Sequence, residues 1–101
     1  LDIDYCEKDK LLTFKITEEI DHHWSEKIRR QVDNEIERYV PKRVVFDFDK
    51  VTFMDSAGIG MLIGRYKVIK MLGGNLEMVN VKSNIRKVLE MSGIPKIIKI
   101  A

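Results

Sequence analysis

Apolar residues recur along this chain with two different periods, and the switches between them divide it into eight elements. Leu1, Ile3 and Tyr5, and then Leu12, Phe14 and Ile16, alternate with other residues on either side of Lys8-Asp9-Lys10. A period of two marks a half-buried strand, and a charged break between two such runs predicts a hairpin over residues 1–7 and 11–16. From Asp21 the period lengthens: Ile28, Val32, Ile36, Tyr39 and Val40 recur with Lys27, Arg29, Arg30, Asp33, Glu35 and Glu37 between them. That spacing puts the apolar groups on one face of a helix, with Asp21 placed to cap its start and Pro41 to end it.

Residues 43–48 carry Val44, Val45, Phe46 and Phe48 with little alternation, which predicts a strand in the middle of the sheet, covered on both faces. A second helix follows, capped by Asp55 or Ser56, running through Ile59, Leu62, Ile63, Tyr66, Ile69 and Leu72 and stopping at Gly73-Gly74. Residues 76–80 read as a strand. Ser83 can cap a short third helix holding Ile85, Val88, Leu89 and Met91, closed by Gly93 and Pro95, and residues 97–100 form a last strand. The order β-β-α-β-α-β-α-β predicts a single α/β domain over residues 1–101. Its sheet is mixed, a hairpin followed by parallel crossovers, with helices packed on it. Met54, Met61, Met71, Met78 and Met91 fall at core-type positions as gap fillers, and Trp24 reads as half-buried packing.

Composition narrows the function. A chain of 101 residues, 45% hydrophobic and 34% charged, can bury a core of its own and is not expected to be disordered. Its 18 basic and 16 acidic residues are interspersed, so no basic stripe is available to neutralise a row of phosphates, and nucleic acid is not an expected partner. The longest apolar run, residues 57–64, ends at Arg65 far short of the ~20 residues that cross a bilayer. The single cysteine, Cys6, cannot close an internal disulfide, which fits a reducing compartment; the expected location is cytoplasmic. The chain starts at Leu1, so trimming is expected there, and no residue that remains asks for a leader peptide.

The densest candidate chemistry is Phe53-Met54-Asp55-Ser56-Ala57-Gly58-Ile59-Gly60, between the central strand and the second helix, where open α/β sheets place their sites. On its residues alone this is first a capped helix with glycines for close packing. A sharper reading puts Ser56 at a helix N-terminus, where free N–H groups and the helix dipole favour an added phosphate while the Asp55 carboxylate opposes it. As a nucleophile elbow the segment lacks the first glycine, although His22 and His23 could contribute to a triad. As a dinucleotide fingerprint, Gly58-x-Gly60 meets Ile63 where a third glycine belongs. Asp21-His22-His23 has no further histidine or nearby cysteine to complete a metal set, and its histidines read as a contact surface. Neither cofactor nor metal is expected.

Four segments together resemble the STAS-domain anti-sigma factor antagonists, most closely the sporulation members that act on the anti-sigma F factor. They are Glu19-Ile20-Asp21-His22-His23, the Phe53 to Gly60 loop, Gly64-Arg65-Tyr66-Lys67 and Met91-Ser92-Gly93-Ile94. The resemblance spans nearly the whole chain and implies a regulatory binding protein, not an enzyme. In that family the unmodified antagonist binds an anti-sigma factor that is also a serine kinase with a bound adenine nucleotide, and the sigma factor is released to activate sporulation transcription. The kinase phosphorylates the serine matching Ser56, which ends tight binding, and a serine phosphatase restores it. The expected partner surface comprises Asp21, His22, Asp55, Ser56, Gly58, Ile59 and Gly60, on a monomer. Related alternatives keep the fold: a general stress-response antagonist, or a STAS module that binds a nucleotide or other small ligand. Ala57 stands where sporulation relatives often carry a second serine, and the family's helix after the last strand is absent from these residues. Its absence is expected to expose apolar surface.

Overall fold

The computed structural model describes residues 1–101 and contains one five-stranded sheet in the order β1-β2-β3-β4-β5. Strands β1 (Asp2–Cys6) and β2 (Leu11–Lys15) form the expected antiparallel hairpin. From β2 onward, β3 (Arg43–Asp47), β4 (Asn75–Val79) and β5 (Lys99–Ile100) add in parallel, each reached through a helix. Those helices are α1 (Ser25–Tyr39), α2 (Ser56–Met71) and α3 (Ser83–Ser92). Because each crossover steps to the next neighbour in the same direction, right-handed connection places all three on one face of the sheet.

Register shows which side chains that face receives. Tyr5, Leu12, Val44 and Leu76 form one row across the strands, and Ile3, Phe14, Phe46, Met78 and Ile100 form the next. Leu12, Phe14, Val44, Phe46 and Met78 are fully buried there against Ile28, Val32 and Ile36 of α1, Leu62 and Ile69 of α2, and Ile85 and Leu89 of α3. Each such aliphatic or aromatic side chain contributes about 1.5–3 kcal/mol by leaving water. The other face carries Asp2, Asp4, Lys15, Arg43, Asp47, Glu77 and Lys99, with Arg43 paired to Glu77 across two strands. The central strand is thus β3, as expected, but a helical layer covers one of its faces only. Val45 is buried on the other face in a row between Thr13 and Glu77.

Several local expectations change for stated reasons. Asp21 does not cap α1; it closes a turn before it, its Oδ1 accepting from the N–H of His23 at 3.0 Å and of Trp24 at 2.9 Å, while α1 begins at Ser25. Ser83 is the first residue of α3 instead of its cap, which is Lys82 with no side-chain bond. The last strand shortens to Lys99–Ile100 because Ile94–Lys96 winds into a 3-10 turn after the left-handed Gly93. Met54, Met61 and Met78 fill the core, but Met71 and Met91, in the last turns of α2 and α3, are 79% and 89% exposed. Trp24 is half-buried and stands edge-on to His23, with the Lys27 ammonium over its ring.

Candidate functional site

At the ends of β2 and β3 the chain makes one further parallel bridge, Ile20 to Met54, beyond the strands proper. The Ile20 N–H donates to the Phe53 carbonyl at 3.1 Å and the Asp55 N–H to the Ile20 carbonyl at 3.2 Å. This short ladder brings two segments more than thirty residues apart into contact, and with them Asp21, His22, Asp55 and Ser56.

Asp55 organises the start of α2. Its backbone is extended, and its Oδ1 accepts from the N–H groups of Ala57 at 2.9 Å and Gly58 at 3.3 Å, satisfying two of the unpaired donors that every helix start leaves. Its Oδ2 accepts from the His22 N–H at 3.1 Å. One carboxylate therefore both starts α2 and fastens the Asp21 to His22 turn against it. Of the two residues that could have capped α2, Asp55 does so, which leaves Ser56 exposed as the first helical residue.

Gly58 faces inward. A Cβ there would stand 2.5 Å from Met54 Cγ and 2.7 Å from both the Cγ2 and the carbonyl oxygen of Ile20, so only glycine lets α2 approach the ladder this closely. Its place in the site is beneath the surface, while Gly60 is exposed and Ile59 is half-buried, packed in part against the core. Phe53, three residues before Ser56, is 49% exposed. Phe53 belongs to the candidate segment but not to the expected partner surface, although a large apolar residue in the loop before the capping aspartate was a legible signal. Ser56 therefore follows in sequence an exposed Phe53 and precedes a half-buried Ile59, and its neighbour Asp55 holds the turn at Asp21 and His22.

The β3 to α2 connection is braced from its other side. Asp47 Oδ1 accepts from the Asp49 N–H and from Asn80 Nδ2, both at 3.0 Å, Lys82 Nζ donates to the Asp49 carbonyl, and Asn84 Nδ2 donates to the Thr52 carbonyl at 3.3 Å. Burial alone would raise the Asp47 carboxyl. The bonds from Asp49 and Asn80, with Lys15 and Lys82 nearby, outweigh it and hold the group below its ordinary range. Asn80 takes a left-handed backbone conformation, φ 58°, to present its amide.

A second feature that the sequence reading did not isolate is an ion pair between helices. Arg65 lies on the buried stripe of α2 with Met61, Leu62 and Ile69, and its Nε is 2.7 Å from Asp33 Oδ1 on α1. A charged residue in step with an apolar stripe was the available signal. No helix is long and apolar enough to cross a membrane, and no cluster of three His, Cys, Asp or Glu side chains is placed to hold a metal ion.

Known proteins resemble this chain in sequence and fold. A profile of the STAS domain matches residues 2–101. The anti-sigma F factor antagonist of Paenibacillus polymyxa is 37% identical over 90 residues, covering 89% of this chain and 77% of that protein. The anti-sigma-B factor antagonist of Bacillus subtilis strain 168 is 25% identical over 101 residues, all of this chain and 91% of that one. Among solved structures, the anti-sigma factor antagonist SpoIIAA in its unphosphorylated form superposes with a TM-score of 0.83 at 25% identity, over 99% of this chain and 86% of that one. The phosphorylated form of the Bacillus cell fate determinant SpoIIAA gives 0.74, also at 25% identity, over 99% and 89%. With a five-stranded mixed sheet, three helices on one face and this match along its length, the chain belongs to the STAS domain family.

Proposed function

We propose that this protein is an anti-sigma factor antagonist of the sporulation type, whose unmodified form binds an anti-sigma factor with serine kinase activity and so releases a sigma factor. Phosphorylation of Ser56 by that kinase switches it off, and a serine phosphatase switches it on again. The protein itself catalyses nothing, acts in the cytoplasm as a monomer, and contributes a surface built from Asp21, His22, Asp55, Ser56, Ile59 and Gly60 over Gly58. The observation that carries this reading is the exposed Ser56 hydroxyl at the first position of α2, one residue after a carboxylate already engaged as cap and latch. The higher identity to an anti-sigma F factor antagonist than to an anti-sigma-B one favours sporulation over stress response.

The physics of the switch is local. In the free protein a phosphate on Ser56 gains from the helix dipole and is solvated. In a complex it has to be buried beside Asp55, and a desolvated charge without a partner costs several kcal/mol, on the order of 10²-fold or more in affinity. No refolding is needed. Intact mass after incubation with the anti-sigma kinase and ATP tests this. One added phosphate on the wild type and none on Ser56→Ala is expected, whereas no phosphate on either, or the same on both, removes Ser56 as the switch.

A further inference from the structure

The two ends of the sheet differ in charge and in what protrudes from them. Strands β2 to β5 run parallel and each helix returns between two of them, so α1, α2 and α3 all finish at the end where these strands begin. Backbone bonds knit that end together: the Lys42 N–H donates to the Lys10 carbonyl at 2.9 Å, and the Asn75 N–H to the Lys42 carbonyl at 3.0 Å. The connections there, with their flanking residues, are 7–10, 38–43, 70–75 and 90–97, and they carry seven Lys or Arg against three Asp or Glu. Residues 16–25, 47–56 and 79–83, at the Ser56 end, carry two against six. The domain is therefore polarised along its strands, basic at the end remote from Ser56, although its net charge is only +2.

The same end holds most of the exposed large apolar side chains. Val40, Met71, Leu72, Met91 and Ile97 are each more than 40% exposed, and elsewhere only Ile3 and Phe53 compare with them. Met71 and Met91 stand in the last turns of α2 and α3, Val40 and Leu72 directly follow α1 and α2, and Ile97 follows the 3-10 turn. None of the five belongs to the core or to the half-buried residues packed against it. Val40, Met71, Leu72 and Met91 line no cavity either, so they are knobs without a groove between them. Of the seven cations beside them, only Lys10 and Arg43 are in ion pairs, with Glu7 and Glu77.

Unpaired cations beside protruding apolar side chains match the surface of an anionic bilayer, where phosphates meet the Lys and Arg groups while the apolar tips enter the acyl boundary. A protein partner would need a separate pocket for every knob, whereas lipid closes around all of them at once. We propose that the end of the domain formed by residues 7–10, 38–43, 70–75 and 90–97 binds the surface of a membrane rich in anionic lipid, lying on it without spanning it, with Met71, Leu72 and Met91 inserted. Docked in this way, the Ser56 end points away from the lipid and stays open to a protein partner. The proposal goes beyond the switch and does not depend on it, since it uses none of the residues around Ser56.

Co-sedimentation decides it. The protein is spun with vesicles of equal parts phosphatidylglycerol and phosphatidylcholine, with vesicles of phosphatidylcholine alone, and without lipid. Binding to the anionic vesicles is expected to be about tenfold tighter or more than to the neutral ones, and to fall steeply with added salt. Lys42→Glu with Lys96→Glu is expected to weaken it by about tenfold or more. Lys27→Glu with Lys50→Glu, the same charge change on the Ser56 half of the molecule, should leave it within about threefold. Met71→Ser with Met91→Ser is expected to weaken it by about fivefold at an unchanged melting temperature, since both side chains are exposed. Equal binding to both kinds of vesicle, pelleting without lipid, equal losses in the two charge pairs, or unchanged binding of the methionine pair overturns the proposal. A second measurement needs no variant: bicelles of the same lipids carrying a nitroxide-labelled lipid are expected to broaden the methyl signals of Met71 and Met91 and to spare the ring signals of His22 and His23. Equal broadening at both places overturns the proposal. Neither measurement contains the anti-sigma factor, so each decides the membrane surface whether or not the switch at Ser56 holds.

Discussion

Ser56 and Ser83 occupy the same place in consecutive units of the fold, each the exposed first residue of a helix that follows a parallel strand. Their surroundings are opposite. Ser83 follows Lys82, has Arg86 and Lys87 one turn on, and is flanked by a half-buried Val81 and a buried Ile85. A phosphate there would find cations and remain in water. Ser56 follows a committed carboxylate, with exposed Phe53 three residues before it and half-buried Ile59 three residues after it. On the proposed reading, the difference teaches that the switch is not placed where a phosphate would be most hospitably received, but where a phosphate is tolerated in the free protein and intolerable once covered.

That contrast can be broken most sharply by charge. Ser56→Glu is expected to weaken anti-sigma factor binding by on the order of 10²-fold, in the range of a buried uncompensated charge, while Ser83→Glu leaves it within about threefold. Isothermal titration of both variants checks this, and equal losses would mean that the surface extends over α3. Next in size is the contrast between glycines. Gly58→Ala forces a Cβ against Ile20 and Met54 and is expected to cost about 1–3 kcal/mol, a fall in melting temperature on the order of 10 °C for a domain of this length. Gly60→Ala should raise the melting temperature by a few degrees while weakening partner binding, which thermal melts and titration together resolve.

Removing the cap comes third. Asp55→Ala is expected to lose about 1–2 kcal/mol, since α2 loses its side-chain cap and the His22 N–H its acceptor; α3 has no such cap to lose, so Lys82→Ala should change stability by less. The smallest effect is a pH dependence. The folded-state value of Asp47 is depressed, so its contribution is complete above the ordinary carboxylate range and is lost as pH falls through the lower, folded value. Asn80→Ala, which removes one of the two bonds to Asp47 Oδ1, should shrink the loss of stability on acidification, measured by urea titrations at descending pH. An unchanged acid dependence would show that the Asp49 N–H and the lysines hold the charge alone.

Much of this was legible before the structure. The two periods of apolar residues marked the order of elements, because burial on one sheet face and one helix face imposes them directly. Ser56 and Asp55 stood out because a cap has a local signature. What was not legible depends on distant segments. Asp21 has the residue type of an N-cap, but its carboxylate closes a separate turn, because the Ile20 to Met54 bridge fixes where the chain leaves the sheet. The continuous apolar run Val44-Val45-Phe46 suggested cover on both faces, whereas Val45 is shielded within the sheet's own second face. Gly58, Gly60 and Gly64 look alike in sequence; only the neighbours of α2 show that the first is required by packing and the others face open space.

The most direct test of the switch is the affinity of this protein for its anti-sigma factor before and after phosphorylation of Ser56, measured by titration calorimetry on the same preparation. The account predicts a loss on the order of 10²-fold or more, reversed by a serine phosphatase. An affinity that stays the same with Ser56 fully phosphorylated would contradict it, and would place the partner surface away from the start of α2.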